Sequence, residues 1–108
     1  MADILDELKK IVGTKNVLTD DATLDKYSRD QSLVRPCRPD AVVFAENKDQ
    51  VRDSIITANK YRTPVVPYSS GQNLHGATIP DQGGIVLNLS KMNKIEINER
   101  NWFAVIEA

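Results

Sequence analysis

The chain has 108 residues, 14 Lys and Arg against 15 Asp and Glu, one His, one Cys and 41% hydrophobic residues. This is the composition of one small globular domain, and a formal net charge of −1 leaves no basic field to displace counterions from a nucleic-acid backbone, so no nucleic-acid partner is expected. Cys37 stands alone, which excludes an internal disulfide framework and a thiolate cluster for zinc or iron–sulfur chemistry; no metal site is expected. No apolar run approaches the roughly 18 residues of a spanning helix. The start Met1-Ala2-Asp3-Ile4 also lacks the basic and apolar regions of a signal peptide, so a cytoplasmic protein is the expectation.

Ile4, Leu5, Leu8, Ile11 and Val12 fall on one helical stripe, with Asp3 early, Lys9 and Lys10 late and Gly13 as the stop. Val17-Leu18-Thr19 is a short extended piece, after which Asp20 caps a second helix carrying Leu24 and Tyr27. Arg29 and Asp30 follow it, with a role in ordering the lead-in to Pro36. The two prolines of Arg35-Pro36-Cys37-Arg38-Pro39 make that stretch a connector, with Cys37 structural.

Ala41-Val42-Val43-Phe44-Ala45 is an apolar run of strand length, and Asn47 with Gln50 three residues on is a variant capping box. The helix that follows, about Lys48 to Tyr61, places Val51, Ile55 and Ala58 on one stripe with Ile56 beside it; Thr63-Pro64 ends it. Val65-Val66-Pro67-Tyr68 is a second strand, with its proline expected at the exit. Strand, helix and strand make a βαβ unit with parallel strands and a right-handed crossover. Ile85-Val86-Leu87-Asn88-Leu89 supplies a third run. The expected class is α/β (α+β), a small, mainly parallel three-stranded sheet with flanking helices.

The segment Tyr68-Ser69-Ser70-Gly71-Gln72-Asn73-Leu74-His75-Gly76-Ala77 leaves the carboxyl end of a strand, where ligands of α/β folds bind. Gly71 and Gly76 permit positive φ, and successive backbone N–H groups in such a loop form an anion-binding concavity. The same composition also describes an ordinary surface turn. The segment is neither a P-loop, which ends in Gly-Lys-Ser/Thr, nor a Gly-x-Gly-x-x-Gly fingerprint opening a helix. His75 in a polar loop, and Lys91, Lys94 and Arg100 alternating with Glu96 and Glu99, are read as solvated surface. Trp102-Phe103-Ala104-Val105-Ile106-Glu107-Ala108 starts as a strand and stops without a turn or polar tail, so the chain looks cut, and self-association through this strand is expected.

Taken together, Tyr27-Ser28-Arg29-Asp30, Pro39-Asp40-Ala41-Val42-Val43-Phe44, the run from Pro64 to Gly76 and the run from Gly83 to Ile95 closely resemble the start of the FAD-binding domain of the vanillyl-alcohol oxidase/p-cresol methylhydroxylase superfamily, which includes glycolate oxidase subunits and D-lactate dehydrogenases. The resemblance implies that backbone amides of Ser69, Ser70, Gly71, Gln72, Asn73, Leu74 and Gly76 hold the FAD pyrophosphate, with Pro67 and Tyr68 leading in. Gln72 stands where some members carry a histidine linked to the flavin, so non-covalent FAD is implied. Ser69 and Ser70 stand where many members have glycines, a variation shared by the phenol-oxidising branch. The resemblance divides residues 1–108 into a helical lead-in over 1–38, a βαβ unit with its phosphate loop over 39–95 and the beginning of a second subdomain over 96–108. It makes the rest of that subdomain and a substrate-binding cap domain the partners. The implied function is the FAD-binding portion of an FAD-linked oxidase or dehydrogenase acting on a hydroxy acid, inactive as this chain alone. The alternative is a non-catalytic α/β module that binds a nucleotide or anion or mediates assembly.

Overall fold

The computed structural model describes residues 1–107; Ala108, the end of the terminal segment considered above, lies outside them. In chain order the elements are α1 (Ala2–Val12), a 3-10 turn (Thr14–Asn16), β1 (Val17–Leu18), α2 (Asp21–Lys26), β2 (Ala41–Phe44), α3 (Lys48–Lys60), β3 (Val65–Tyr68), β4 (Ile85–Asn88), β5 (Ile95–Asn98) and β6 (Phe103–Ile106). Among the described residues no helix is long and apolar enough to cross a membrane.

The helices begin and end where the sequence places the signals. Gly13 stops α1 at φ 94°, and its N–H donates to the Lys9 carbonyl. Asp20 accepts the Thr23 N–H at 3.0 Å, and Asn47 accepts the Gln50 N–H at 2.9 Å. Gln50 completes its box one residue early, accepting the Glu46 N–H at 2.8 Å.

The main sheet runs β1-β2-β4-β3. The three expected strands are parallel, and the short piece Val17–Leu18 adds a fourth, antiparallel to β2. β2 and β3 are not neighbours, because β4 lies between them and pairs with both. Both faces of the sheet are covered, which is why β2 and β4 are continuous apolar runs rather than alternating ones. Val43, Ile85 and Leu87 face Ile4, Leu8 and Val12 of α1 in one core cluster, while Val42 and Val86 face Tyr27 in another, with Leu24 and Phe44 packed against it. Pro67 occupies the third position of β3 rather than its exit, opposite Leu87. It is tolerated because β3 is an edge strand, where a ladder donor can be spared.

The buried face of α3 differs from the expected stripe. Ser54, Thr57 and Ala58 are buried and Val51 half-buried, whereas Ile55 and Ile56 remain 44% and 60% exposed. Small side chains let α3 lie close to the sheet and to α1, against which it is also tied by Lys60 Nζ to Glu7 at 2.7 Å and by the Tyr61 hydroxyl donating to Glu7 at 3.2 Å.

β5 and β6 form an antiparallel hairpin pairing Ile95 with Ile106 and Asn98 with Phe103. Ile97 is 74% and Trp102 93% exposed, so the hairpin is not part of either core cluster. The radius of gyration, 15.0 Å, exceeds the about 13 Å of a compact chain this long, as a projecting hairpin requires.

Ser54 Oγ is the one buried side-chain polar atom without a hydrogen-bond partner among the described residues. Because an unsatisfied buried hydroxyl carries a desolvation cost, Ser54→Ala is expected to stabilise the chain by about 1 kcal/mol, read as a melting-temperature increase of about 4–8 °C. A lower melting temperature would show that the hydroxyl has a partner in solution.

Candidate functional site

The carboxyl ends of β2, β3 and β4 meet at one edge of the sheet. Tyr68 lies opposite Asn88 and Phe44 lies opposite Asn88 on the other side. The pairing continues past the strand ends: the Leu89 N–H donates to the Tyr68 carbonyl at 2.8 Å and the Ala45 N–H to the Asn88 carbonyl at 3.1 Å. Asn88 is 3% exposed, a polar residue inside an apolar run. Its Nδ2 donates to the Tyr27 hydroxyl at 2.9 Å, and its Oδ1 accepts the Ser90 N–H at 2.8 Å. Tyr27 in turn packs edge-on against Tyr68, ring centroids 4.6 Å apart. Burial pushes the Tyr68 phenol above its ordinary range, with a smaller contribution from Tyr27.

Tyr68 is the floor of the loop. Gly71 sits over it at φ 76°, and a Cβ there would overlap the Tyr68 ring and hydroxyl. Both the conformation and the space therefore require glycine. Beyond Gly71 the chain curls around Asn73, whose Oδ1 accepts the N–H of His75 at 2.7 Å and of Ala77 at 3.3 Å.

The loop is held from a part of the chain the sequence reading treated as a lead-in. Gln31 and Asn73 clasp each other: the Gln31 N–H donates to the Asn73 carbonyl at 3.1 Å, and the Asn73 N–H to Gln31 Oε1 at 2.9 Å. Asp30 accepts the Ser32 N–H at 2.8 Å, as expected of a residue ordering the path to Pro36, and also reaches Thr78 Oγ1 at 3.5 Å. Hydrogen bonds from the Ser32 side chain, the Ser32 and Gly76 backbone and Thr78 outweigh desolvation and hold the Asp30 carboxyl below its ordinary value. Gly76, at φ 78°, lies against Val34, whose Cγ2 would be 2.6 Å from an added Cβ.

These internal bonds sort the loop's amides. Those of Asn73, His75 and Ala77 are engaged, and the Gly76 backbone contributes to lowering the pKa of the Asp30 carboxyl. Gln72 has only a long contact to Ser70 Oγ at 3.4 Å. Among the described residues nothing accepts from the N–H of Ser69, Ser70, Gly71 or Leu74. Four backbone donors without partners, no carboxylate between Ser69 and Ala77 and a glycine at the closest approach are a donor set suited to phosphate.

The loop separates two hollows. One, of about 580 Å³, is lined by Gln31, Gln72, Asn73, Leu74 and His75. The other, of about 350 Å³, lies between Ser69 and Ser70 on one side and Ser90, Met92 and the hairpin on the other. Lys91 is drawn away from both, its Nζ donating to Asn16 at 2.6 Å and lying 3.7 Å from Glu46. Cys37 is half-buried, with Sγ 3.9 Å from the Arg38 carbonyl, and joins no cluster. Asp30, Gln31 and Asn88 are the supporting residues that the sequence reading did not assign to the loop.

The family described as an FAD binding domain matches residues 39–108, and the chain belongs to it. The resemblance drawn from the sequence holds, and FAD is the cofactor of the family. The chain is 35% identical over 106 residues to a glycolate oxidase subunit of Bacillus subtilis, which spans 97% of this chain and 23% of that protein. It is 32% identical over 105 residues to a D-2-hydroxyglutarate dehydrogenase of Stutzerimonas stutzeri, again spanning 23% of the relative. The solved 4-ethylphenol oxidase of Gulosibacter chungangensis, an isoeugenol complex, matches at a TM-score of 0.86 and 30% identity over 97% of this chain and 21% of that one.

The Asp30 clasp gives a pH dependence with a definite sign. A carboxyl whose folded pKa is depressed contributes above its unfolded value of about 3.9 and loses that contribution as pH falls through the folded value. The Gly76 amide resonance is expected to move only in that acid range and to exchange faster as it does. In Asp30→Ala the exchange is fast already at neutral pH. Unchanged Gly76 exchange in that variant would remove Asp30 from the loop's support.

Proposed function

We propose that this chain is the pyrophosphate-holding part of the FAD-binding domain of an FAD-linked oxidase or dehydrogenase whose complete form oxidises a hydroxy acid. The observation that carries the reading is the set of N–H groups without partners among the described residues at Ser69, Ser70, Gly71 and Leu74, at the carboxyl edge of a parallel sheet. These amides donate to the phosphate oxygens. Gln72 adds a further amide and a side chain without a ring nitrogen for covalent attachment, so FAD is held non-covalently. Asn73 and Gly76 shape the loop through their bonds to Gln31 and Asp30, and Pro67 and Tyr68 deliver the chain to it from β3. When bound, the flavin supplies the hydride acceptor; this chain supplies binding and orientation.

In this reading residues 1–38 brace the loop, 39–95 carry it and 96–108 open a second subdomain. That subdomain and a cap domain complete the flavin and substrate sites, and this chain alone binds without turnover. The hydroxy-acid class is supported by the names of the Bacillus subtilis and Stutzerimonas stutzeri relatives. The setting is cytoplasmic. A second reading, an assembly module that self-associates through the terminal hairpin, is favoured by one observation: Ile95, Ile97, Trp102, Phe103, Val105 and Ile106 are all exposed.

Calorimetric titration of the chain with FAD, ADP and FMN, beside sedimentation with and without ligand, separates the two. Saturable binding of FAD and ADP but not FMN supports a cofactor half-site; association without nucleotide preference supports the assembly module. Binding of none of the three overturns the half-site reading.

Gly71→Val tests the loop itself. Both the positive φ and the Tyr68 overlap oppose a β-branched side chain, so FAD affinity is expected to fall at least about tenfold. An unchanged affinity would move the site elsewhere.

A further inference from the structure

Residues 28–37 form a strap without regular secondary structure, closed at its base where the Cys37 N–H donates to the Ser28 carbonyl at 2.9 Å and Arg38 Nε donates to Asp25 at 2.6 Å. The strap also holds its own shape. Within it Asp30 accepts the Ser32 N–H at 2.8 Å, and Ser32 Oγ accepts the Val34 N–H at 3.1 Å. From this brace Gln31 reaches the loop twice, through one residue: its N–H donates to the Asn73 carbonyl at 3.1 Å, and its Oε1 accepts the Asn73 N–H at 2.9 Å.

A trans peptide unit is planar, with its N–H and C=O antiparallel. The Asn73 carbonyl shares its plane with the Leu74 N–H, so holding that carbonyl on Gln31 turns the Leu74 N–H to the opposite side, where nothing among the described residues accepts it. Holding the Asn73 N–H turns the Gln72 carbonyl to that side too. If the plane between Asn73 and Leu74 turned over, two carbonyl oxygens would stand there without that N–H, and the side would repel an anion. Side-chain packing does not fix this plane, because Leu74 is 70% exposed. We propose that Gln31 is a positioning residue for cofactor binding: it acts through Asn73, keeping the Leu74 N–H turned as a donor for the FAD pyrophosphate. This rests on the FAD reading above and extends it from the loop to the strap. Because clasp and ligand favour the same orientation of the plane, each strengthens the other by the same factor.

Hydrogen exchange of the backbone amides, beside calorimetric titration with inorganic pyrophosphate and FAD, tests this on the chain and two variants. In the parent, saturation with pyrophosphate is expected to slow exchange of the Gln31 N–H at least about threefold, although that amide is bonded to Asn73 and not to the ligand. Gln31→Met keeps the length of the side chain and removes its acceptor. It is expected to weaken both ligands by about three- to tenfold, the scale of one hydrogen bond. The fold stays intact, since Gln31 is exposed. Gln31→Glu returns an acceptor oxygen and, at an ionic strength that screens its charge, restores the affinity. A loss that Gln31→Glu does not restore counts against the clasp. A lower melting temperature of Gln31→Met with unchanged affinity marks a merely structural contact and overturns the proposal. Tighter binding by Gln31→Met also overturns it, since the Asn73 N–H then serves the ligand better than the clasp does. Gln31 exchange that pyrophosphate leaves unchanged, while Gly71→Val still loses FAD, overturns this inference and leaves the loop reading standing. Binding of neither ligand by the parent chain overturns both.

Discussion

The wedging of β4 between β2 and β3 is the constraint from which the rest of the architecture follows. Val42, Val43 and Val86 have no exposed surface, and Ile85 and Leu87 retain 2% each. Each residue of β4 therefore has an assigned side, odd positions toward α1 and α3 and Val86 toward Tyr27. A slip of one residue would exchange the two faces and turn Asn88 from the Tyr27 hydroxyl into the other core. With the register fixed this way, the ends of β3 and β4 are level, and everything that leaves them, Ser69-Ser70 from one and Leu89-Ser90 from the other, emerges side by side.

The loop gains its shape from side chains, which leaves part of its backbone without partners among the described residues. Asn73 takes up the amides of His75 and Ala77, and Gln31 fixes the position of Asn73. Tyr27 and Tyr68 form a rigid floor on which Gly71 can approach without a Cβ. The supports come from residues 27–34, which contain almost no regular secondary structure. Their order is derived from the loop as much as the loop's order is derived from them. Such a mutual clasp lowers the entropy that a ligand must otherwise remove on binding.

The sequence made α1, α3 and the three parallel strands legible because each has a strong period or an uninterrupted apolar run between clear stops. β1 was visible only as an extended piece, since two residues carry no period. The strand order was not legible: runs buried on both faces are alike, and nothing in Ile85–Leu89 distinguishes a central strand from an edge one. The sequence reading puts Pro67 at the exit of its strand, whereas it sits third of four because β3 is an edge strand that can spare the donor. On α3, Ile55 and Ile56 satisfied the helical spacing and still remained outside, because close docking selected the smaller Ser54, Thr57 and Ala58. The loop was legible from its glycines and small polar residues. Its clasp was not, because Gln31 and Asn73 are 42 residues apart and Asp30 and Thr78 are 48 apart. Asn88 did leave a signal, a polar residue in an apolar run, but only the fold supplies Tyr27 as the reason.

The hairpin lies beside the loop, with Ile95 and Ile106 across from Ser69 and Ser70. A two-stranded ribbon is marginal in water unless a face is packed. Here the pairs Ile95 with Ile106 and Ile97 with Ala104 put apolar groups on one face, while Val105 and Phe103 put them on the other. One side of that ribbon already borders the serine-lined hollow through Ile95 and Ile106, and Val105 borders a second depression with Asn47 and Lys48 at the start of α3.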